Sequence, residues 1–279
     1  MTTQQTQTLT LNPPEGRNGP SWPARAREVL AFEWTKLRST RATRWTVLIS
    51  AIVTLAITAI VAGTVGHAPA GPAGSPLDPQ VTSFLGFAEY TVLPLTILAV
   101  LTFTSEYSTG MIRTTFVAVP RRWAVLAAKA AVAGTAGLIV GEVLAFACFW
   151  LTQALLAGGG HPGRSLADPG VPGAILAAGL ALGVCAVVGV GLGAIIRHTA
   201  GAIAAAVGLI YLLAVLCLIL PAPWDTRLGR FTLPFAAYQA ISAHPQPGLL
   251  SPAWSVLVLI GWPAAVLLVA ALVVTRRDV

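Results

Sequence analysis

Six long apolar stretches, almost free of charge, dominate the chain and decide what it can fold into. The uncharged runs are Trp45–Gly66, Ala174–Ile196, Thr199–Leu220 and Pro252–Thr275. Two further runs each hold one internal acid: Val81–Thr104, with Glu89, and Ala130–Leu156, with Glu142. Each can supply the roughly 20 residues needed to cross a hydrocarbon layer of about 30 Å. Their interiors lack the polar/apolar alternation of a barrel strand, so each is expected to be a helix. Hydrophobic residues make up 56% of the chain and charged residues 10%. A soluble domain carries about 25% charged residues. A water-soluble fold would leave too little polar surface, so the sequence predicts an all-α integral membrane protein with six transmembrane helices.

The ends of the runs carry the basic residues, and these set an orientation. Arg17, Arg25, Arg27, Lys36, Arg38, Arg41 and Arg44 precede the first run. Arg113, Arg121, Arg122 and Lys129 lie between the second and third, Arg197 between the fourth and fifth, and Arg276 and Arg277 at the C-terminus. The opposite side holds only Arg164, Arg227 and Arg230. The positive-inside rule then places both termini in the cytoplasm. An even number of spans agrees. The net charge of +7 is read as basic residues facing anionic lipid, with no nucleic-acid partner. Residues 1–23 are polar, contain Pro and Gly, and have no apolar core region, so no cleaved signal peptide is expected there. They read as a disordered cytoplasmic tail.

The segment ARAREVLAFEWTKLRSTRATR, residues 24–44, differs from that tail. Leu30, Trp34 and Leu37 recur at one-face helical spacing, and basic residues including Lys36 crowd the remainder. It reads either as an interfacial helix on the cytoplasmic leaflet or as a plain charged tail. The second run carries Pro94 in its body, where a kink is expected. Only Arg197, His198 and Thr199 join the fourth run to the fifth, which predicts a tight hairpin. Before the last run, residues Phe231–Ala243 (FTLPFAAYQAISA) are apolar but too short to span, and can be re-entrant or interfacial. Gly137 and Gly141, Gly179 and Gly183, and Gly189 and Gly193 each sit four apart. Such pairs let helix backbones approach, within one chain or between subunits.

Several chemistries are excluded. Lys36 and Lys129 are the only lysines, and neither follows a glycine, so no G-x-x-x-x-G-K-[ST] phosphate loop exists. No H-E-x-x-H or G-x-S-x-G occurs. The chain is not expected to act as an enzyme. Cys148, Cys185 and Cys217 fall inside the apolar runs without metal-ligand spacing, and read as small buried apolar residues. No metal and no cofactor is expected on this chain. Glu142 lies about 20 Å along its helix from Lys129, at about 1.5 Å per residue. An ionised carboxylate at that depth is costly against lipid, so it must face protein or water. It lines a translocation route or is a protonated or hydrogen-bonded structural group within the bundle. Glu89 is closer to an outer end and reads as solvated.

The one basic loop of any length, TSEYSTGMIRTTFVAVPRRW (Thr104 to Trp123), carries the most specific pattern. Thr104 or Ser105 is suited to capping a short helix, with Glu106 near its positive end. Gly110 permits a sharp turn. Tyr107, Met111 and Ile112 are candidate apolar anchors and Arg113 a directed charge. The alternative is a loop whose basic residues only hold topology. Glu106 to Thr114, then Val119-Pro120-Arg121-Arg122 and Lys129, resembles the permease subunits of type-2 ATP-binding-cassette exporters of actinobacteria. Glu33-Trp34-Thr35-Lys36-Leu37-Arg38-Ser39 resembles their N-terminal helix, and Leu233-Pro234 with Gln239-Ala240-Ile241 their last outer segment. The likeness covers roughly residues 25–279.

That resemblance implies a six-helix permease domain over residues 24–279 in a bacterial plasma membrane, with a re-entrant outer segment before the last helix. It implies pairing with a second permease copy, identical or a close paralogue. It also implies a separate cytoplasmic ABC ATPase subunit that holds ATP and Mg. The loop with Glu106, Tyr107, Gly110, Met111, Ile112 and Arg113 would carry a coupling helix that docks on that ATPase, with Leu30, Trp34, Lys36 and Leu37 on the interfacial helix beside it. Substrate export is expected from the likeness alone. The alternatives are an ATP-independent channel or proton-coupled carrier using Glu142, or a membrane scaffold that transports nothing.

Overall fold

The computed structural model describes residues 22–66, 82–84, 91–118, 121–159, 163–242 and 248–276. Most of the N-terminal tail and Glu89 lie outside these residues. Every regular element among them is a helix. In chain order these are α1 (Trp22–Ser39), α2 (Arg41–Gly66), α3 (Val92–Ser108), α4 (Met111–Ala118), α5 (Arg122–Gly158), α6 (Val171–Ile196), α7 (Thr199–Ile219), α8 (Trp224–Gly229), α9 (Leu233–Ile241) and α10 (Pro252–Arg276).

Five of them, α2, α5, α6, α7 and α10, are long and apolar enough to cross a membrane. The chain is thus built as an all-α, multi-pass membrane protein. The sixth expected span is apolar, but its described helix α3 has 17 residues, about 26 Å of rise. Pro94 sits in the first turn of α3. The kink expected in the body of that run is therefore misplaced. A first-turn proline has no intrahelical N–H bond to lose, so the helix simply starts there. At the other extreme α5 has 37 residues, about 55 Å of rise, so it projects beyond a bilayer core.

Helix α6 is the hub. Its span is 78% buried, and it packs on α5, α3 and α10. Its composition explains why: small residues let three neighbours approach its backbone. A Cβ at Gly141 of α5 would lie 2.8 Å from the Gly179 carbonyl oxygen of α6. A Cβ at Gly189 would lie 2.7 Å from the Thr96 carbonyl oxygen of α3, and one at Gly193 3.0 Å from that of Val100. Gly137 and Gly183 close the α5–α6 seam in the same way. The four-residue glycine pairs are thus used for packing within the chain.

The hairpin between α6 and α7 is as tight as expected. Arg197 turns it with φ 61°, and the Gly201 amide donates to His198 Nδ1 at 3.3 Å. The apolar core divides along the bundle. One cluster, with Leu182, Phe149, Ile175 and Leu259, lies towards the α8–α9 end. A smaller one, with Phe103, Ile112, Leu126 and Val190, lies towards the α1 end. Polar side chains tie the loops at the α8–α9 end. Gln153 accepts from the Arg164 amide at 2.6 Å, Gln239 accepts from the Leu250 amide at 2.6 Å, and the Trp262 indole donates to the Phe231 carbonyl at 2.8 Å.

Candidate functional site: a buried ion network beside a short helix

The expected cap at Thr104 or Ser105 is not where the short helix begins. Residues 104–108 continue α3 without a break, and the Thr104 hydroxyl bonds back to the Val100 carbonyl at 3.2 Å. The chain leaves helical geometry at Thr109 and Gly110. Gly110 has φ 73°, a left-handed conformation that a residue with Cβ adopts only at a cost. The short helix α4 then starts at Met111. The apolar residues around Phe103 and Tyr107 extend α3 by more than a turn, because their rings stack 5.7 Å apart at i, i+4 spacing.

This extension turns Glu106 inward. Its Oε1 accepts from Lys129 Nζ at 2.6 Å and from Lys36 Nζ at 2.5 Å. Lys129 Nζ also donates to Glu33 Oε1 at 2.8 Å and to the Thr102 carbonyl at 3.4 Å. The Lys129 side chain is 0% exposed, and its ammonium lies 6.0 Å from the Phe103 ring centre. Both lysines of the chain are therefore in one cluster with two glutamates. Four formal charges sum to zero, and three helices are joined: α1 through Glu33 and Lys36, α3 through Glu106, α5 through Lys129.

Lysine suits this place better than arginine. A compact ammonium offers three donors in different directions, whereas a guanidinium is a planar fork. Glu106 Oε2 is buried without a hydrogen-bond partner among the described residues, so the cluster is not fully satisfied. A hollow of about 240 Å³ adjoins it, lined by Glu33, Lys36 and Lys129 on one side and Leu98, Leu101 and Val132 on the other. The ammonium groups thus have free volume next to them.

The remaining predicted residues divide into two groups. Ile112 is buried and packs with the Phe103 and Leu126 cluster, which pins α4 to the bundle. Met111 and Thr114 are exposed and Val117 is 82% exposed, so one stripe of α4 is left open among the described residues. Tyr107 is half-buried, with the Arg197 guanidinium 5.3 Å from its ring centre. This contact brings the α6–α7 hairpin to the same end as the ion network. The Arg113 side chain lies outside the described residues, although its backbone is in α4.

On α1, Leu30 is exposed, whereas Trp34, Lys36 and Leu37 are half-buried. The face meeting the bundle is led by the buried Glu33. Reading the sequence missed Glu33, because it sits 96 positions from Lys129 and an apolar stripe draws attention to Leu30, Trp34 and Leu37. A hint was available: a lysine at the start of an apolar run either reaches back to the interface or pairs with an acid.

Glu142 does not belong to this cluster. It lies on α5 against Gly179 of α6, where any added Cβ would collide with its carboxylate. Its Oε2 is buried without a partner among the described residues, though the residue as a whole is only half-buried. Cys148, Cys185 and Cys217 are buried and unbridged. Among the described residues, no group of three or more His, Cys, Asp or Glu is placed to hold a metal ion. A scan against protein-family models gives no match for this chain, and neither does a search of curated proteins.

Proposed function

We propose that this chain is the membrane-spanning permease subunit of an ATP-driven exporter in a bacterial plasma membrane. ATP binding and hydrolysis belong to a separate cytoplasmic ATPase of the ATP-binding-cassette class, and a second permease copy completes the pathway. Six spans place both termini in the cytoplasm, and α9 is the re-entrant outer segment. The observation that carries the reading is the ion network that locks α1, α3 and α5 together immediately beside α4. A force on α4 cannot be absorbed by a loose loop in that arrangement. Ile112 anchors the helix inward, while Met111, Thr114 and Val117 present a stripe outward.

In this reading α4 is the coupling helix. The ATPase closes on nucleotide and displaces α4. The displacement passes through Ile112 into the end of α3 and through Glu106 and Lys129 into α5 and α1. The adjoining hollow lets the ammonium groups re-pair as the helices shift. Two packing states biased by a ligand on the partner are all that alternating access requires. No residue of this chain makes or breaks a bond.

The test is tagged co-purification in mild detergent from native cells, with ATPase activity measured on the eluate. Wild type is compared with a Met111→Asp, Val117→Asp double variant. These exposed positions leave the fold intact, so loss of a co-purifying P-loop ATPase assigns the contact to α4. Wild type purifying alone, without ATPase activity in several detergents, refutes the proposal.

A further inference from the structure

At the end of the bundle away from the ion network, a cavity of about 460 Å³ lies between α3, α6, α7, α9 and α10. Its volume is within the range of small-molecule sites, about 300–1,000 Å³. Helix α7 builds one wall by an unusual route. Gly208–Leu212 forms a π-helical turn, which inserts one residue into the helical register and re-aims the side chains that follow. Ile210 and Tyr211 of this turn face the cavity, and Ala214, Val215 and Leu218 continue the wall. Leu233, Phe235 and Tyr238 of α9 and Cys185 of α6 also line the cavity.

Two features define what fits. Among the described residues that line the cavity none is Asp, Glu, Lys, Arg or His, so they offer a buried ion no counter-charge. The polar side-chain atoms among these described lining residues are the phenols of Tyr211 and Tyr238 and the Cys185 thiol. The mouth opens sideways. Val215 and Leu218 line it while being 50% and 63% exposed, and Leu212, Leu216 and Ile219 extend the same bare apolar surface of a spanning helix. The exposed side of this described wall is thus the apolar surface of a spanning helix, which a ligand dissolved in the hydrocarbon layer would meet first.

The geometry points to a binding site for a single hydrocarbon chain of a membrane-dissolved, uncharged amphiphile, with its chain between α7 and α9 and its polar end towards the Tyr238 phenol. This site stands on the cavity and the π-helical turn, and does not depend on the transport reading.

The test uses the full chain purified in maltoside detergent and a hexadecanol bearing a diazirine on its chain. After irradiation, labelled peptides are mapped by mass spectrometry, with and without excess unlabelled hexadecanol. The site predicts saturable labelling concentrated in peptides covering 210–218 and 233–241, at least tenfold reduced by the competitor. Ala237→Trp and Ala181→Leu, which fill the cavity, should reduce it similarly, while exposed Ile49 and Ile52 of α2 label weakly and without saturation. The wild-type saturation and competition decide the matter even if a filled variant misfolds. Non-saturable labelling spread evenly over all exposed apolar faces overturns the site. So does unchanged labelling in a folded filled variant.

Discussion

The two ends of the bundle solve the same problem by opposite means. At the α1 end, Glu33, Glu106 and Lys129 are buried, Lys36 is partly exposed, and the four charges pair with one another. At the α8–α9 end there is an apolar hollow, a π-helical turn and a set of loops held by single amide side chains. A buried charge network is intolerant: each member is costly when its partner is removed. An apolar cavity is forgiving, because a side chain or a lipid chain can fill it without leaving any polar group unpaired. The contrast teaches where rigidity and adaptability sit in this molecule. The rigid joint lies beside the exposed helix α4, and the adaptable space lies where a ligand from the bilayer enters.

This contrast can be broken most forcefully at Lys129. Lys129→Met leaves Glu33 and Glu106 buried without their shared cation, and should cost about 3–5 kcal/mol. The expected readout is a sharply lower melting temperature in detergent or loss of folded yield. Adding Glu33→Gln and Glu106→Gln to that variant should restore most of the stability, since the uncompensated buried carboxylates are then gone and the partly exposed Lys36 can turn to solvent. Failure of the triple variant to recover would mean that the network's role is not electrostatic.

Ile112→Ala comes next, at roughly 2–5 kcal/mol for a buried large-to-small change. Protease cleavage within α4 should accelerate, whereas Met111→Ala at the neighbouring exposed position should leave it unaltered. Gly141→Ala tests the α5–α6 seam shared by both ends. Its Cβ would sit 2.8 Å from the Gly179 carbonyl oxygen, and such overpacking typically costs about 1–3 kcal/mol. A lowered melting temperature is expected, and an unchanged one would mean that the two helices part freely.

Lys36 sharpens the comparison within the network. Its side chain is 34% exposed, so solvent screens the pair, and Lys36→Ala should cost about 1 kcal/mol or less. That loss should shrink further in high salt, unlike the Lys129 effect. The smallest effect is expected at Glu142. Outside the network and packed against Gly179, Glu142→Gln should leave both melting temperature and transport close to wild type. Abolished transport with a normal fold would instead favour a carboxylate-dependent carrier.

Much of the architecture was legible in the sequence. Charge-free runs marked α2, α6, α7 and α10, and a run with the single acid Glu142 marked α5, because a helix that must bury its backbone polar groups in lipid has few other options. The Arg197 hairpin was legible for the same reason: three residues leave no room for a loop. Other features were hidden by the physics that makes single-segment patterns useful. Periodicity on α1 reports the apolar stripe, but the face that meets the bundle is organised around Glu33, a charge whose partner is remote in sequence. The start of α4 was placed too early because Thr104 and Ser105 look like capping residues. In the fold their helix is prolonged by packing of Phe103 and Tyr107, so Glu106 is a buried member of α3 and not a residue at the head of α4. The π-helical turn in α7 has no local sequence signature, and the cavity it lines exists only when five helices are assembled.

The central claim is that Lys129 holds α1 against α3 and α5. It is tested most directly by distance measurement between spin labels at Phe32 on α1 and Ser108 at the end of α3, in a background with Cys148, Cys185 and Cys217 replaced. Both labelled positions are exposed. The account predicts one narrow distance distribution in the parent protein and a broad or shifted one in the triple variant Glu33→Gln, Glu106→Gln, Lys129→Met, which folds without the ionic clamp. The same narrow distribution in both proteins would contradict it.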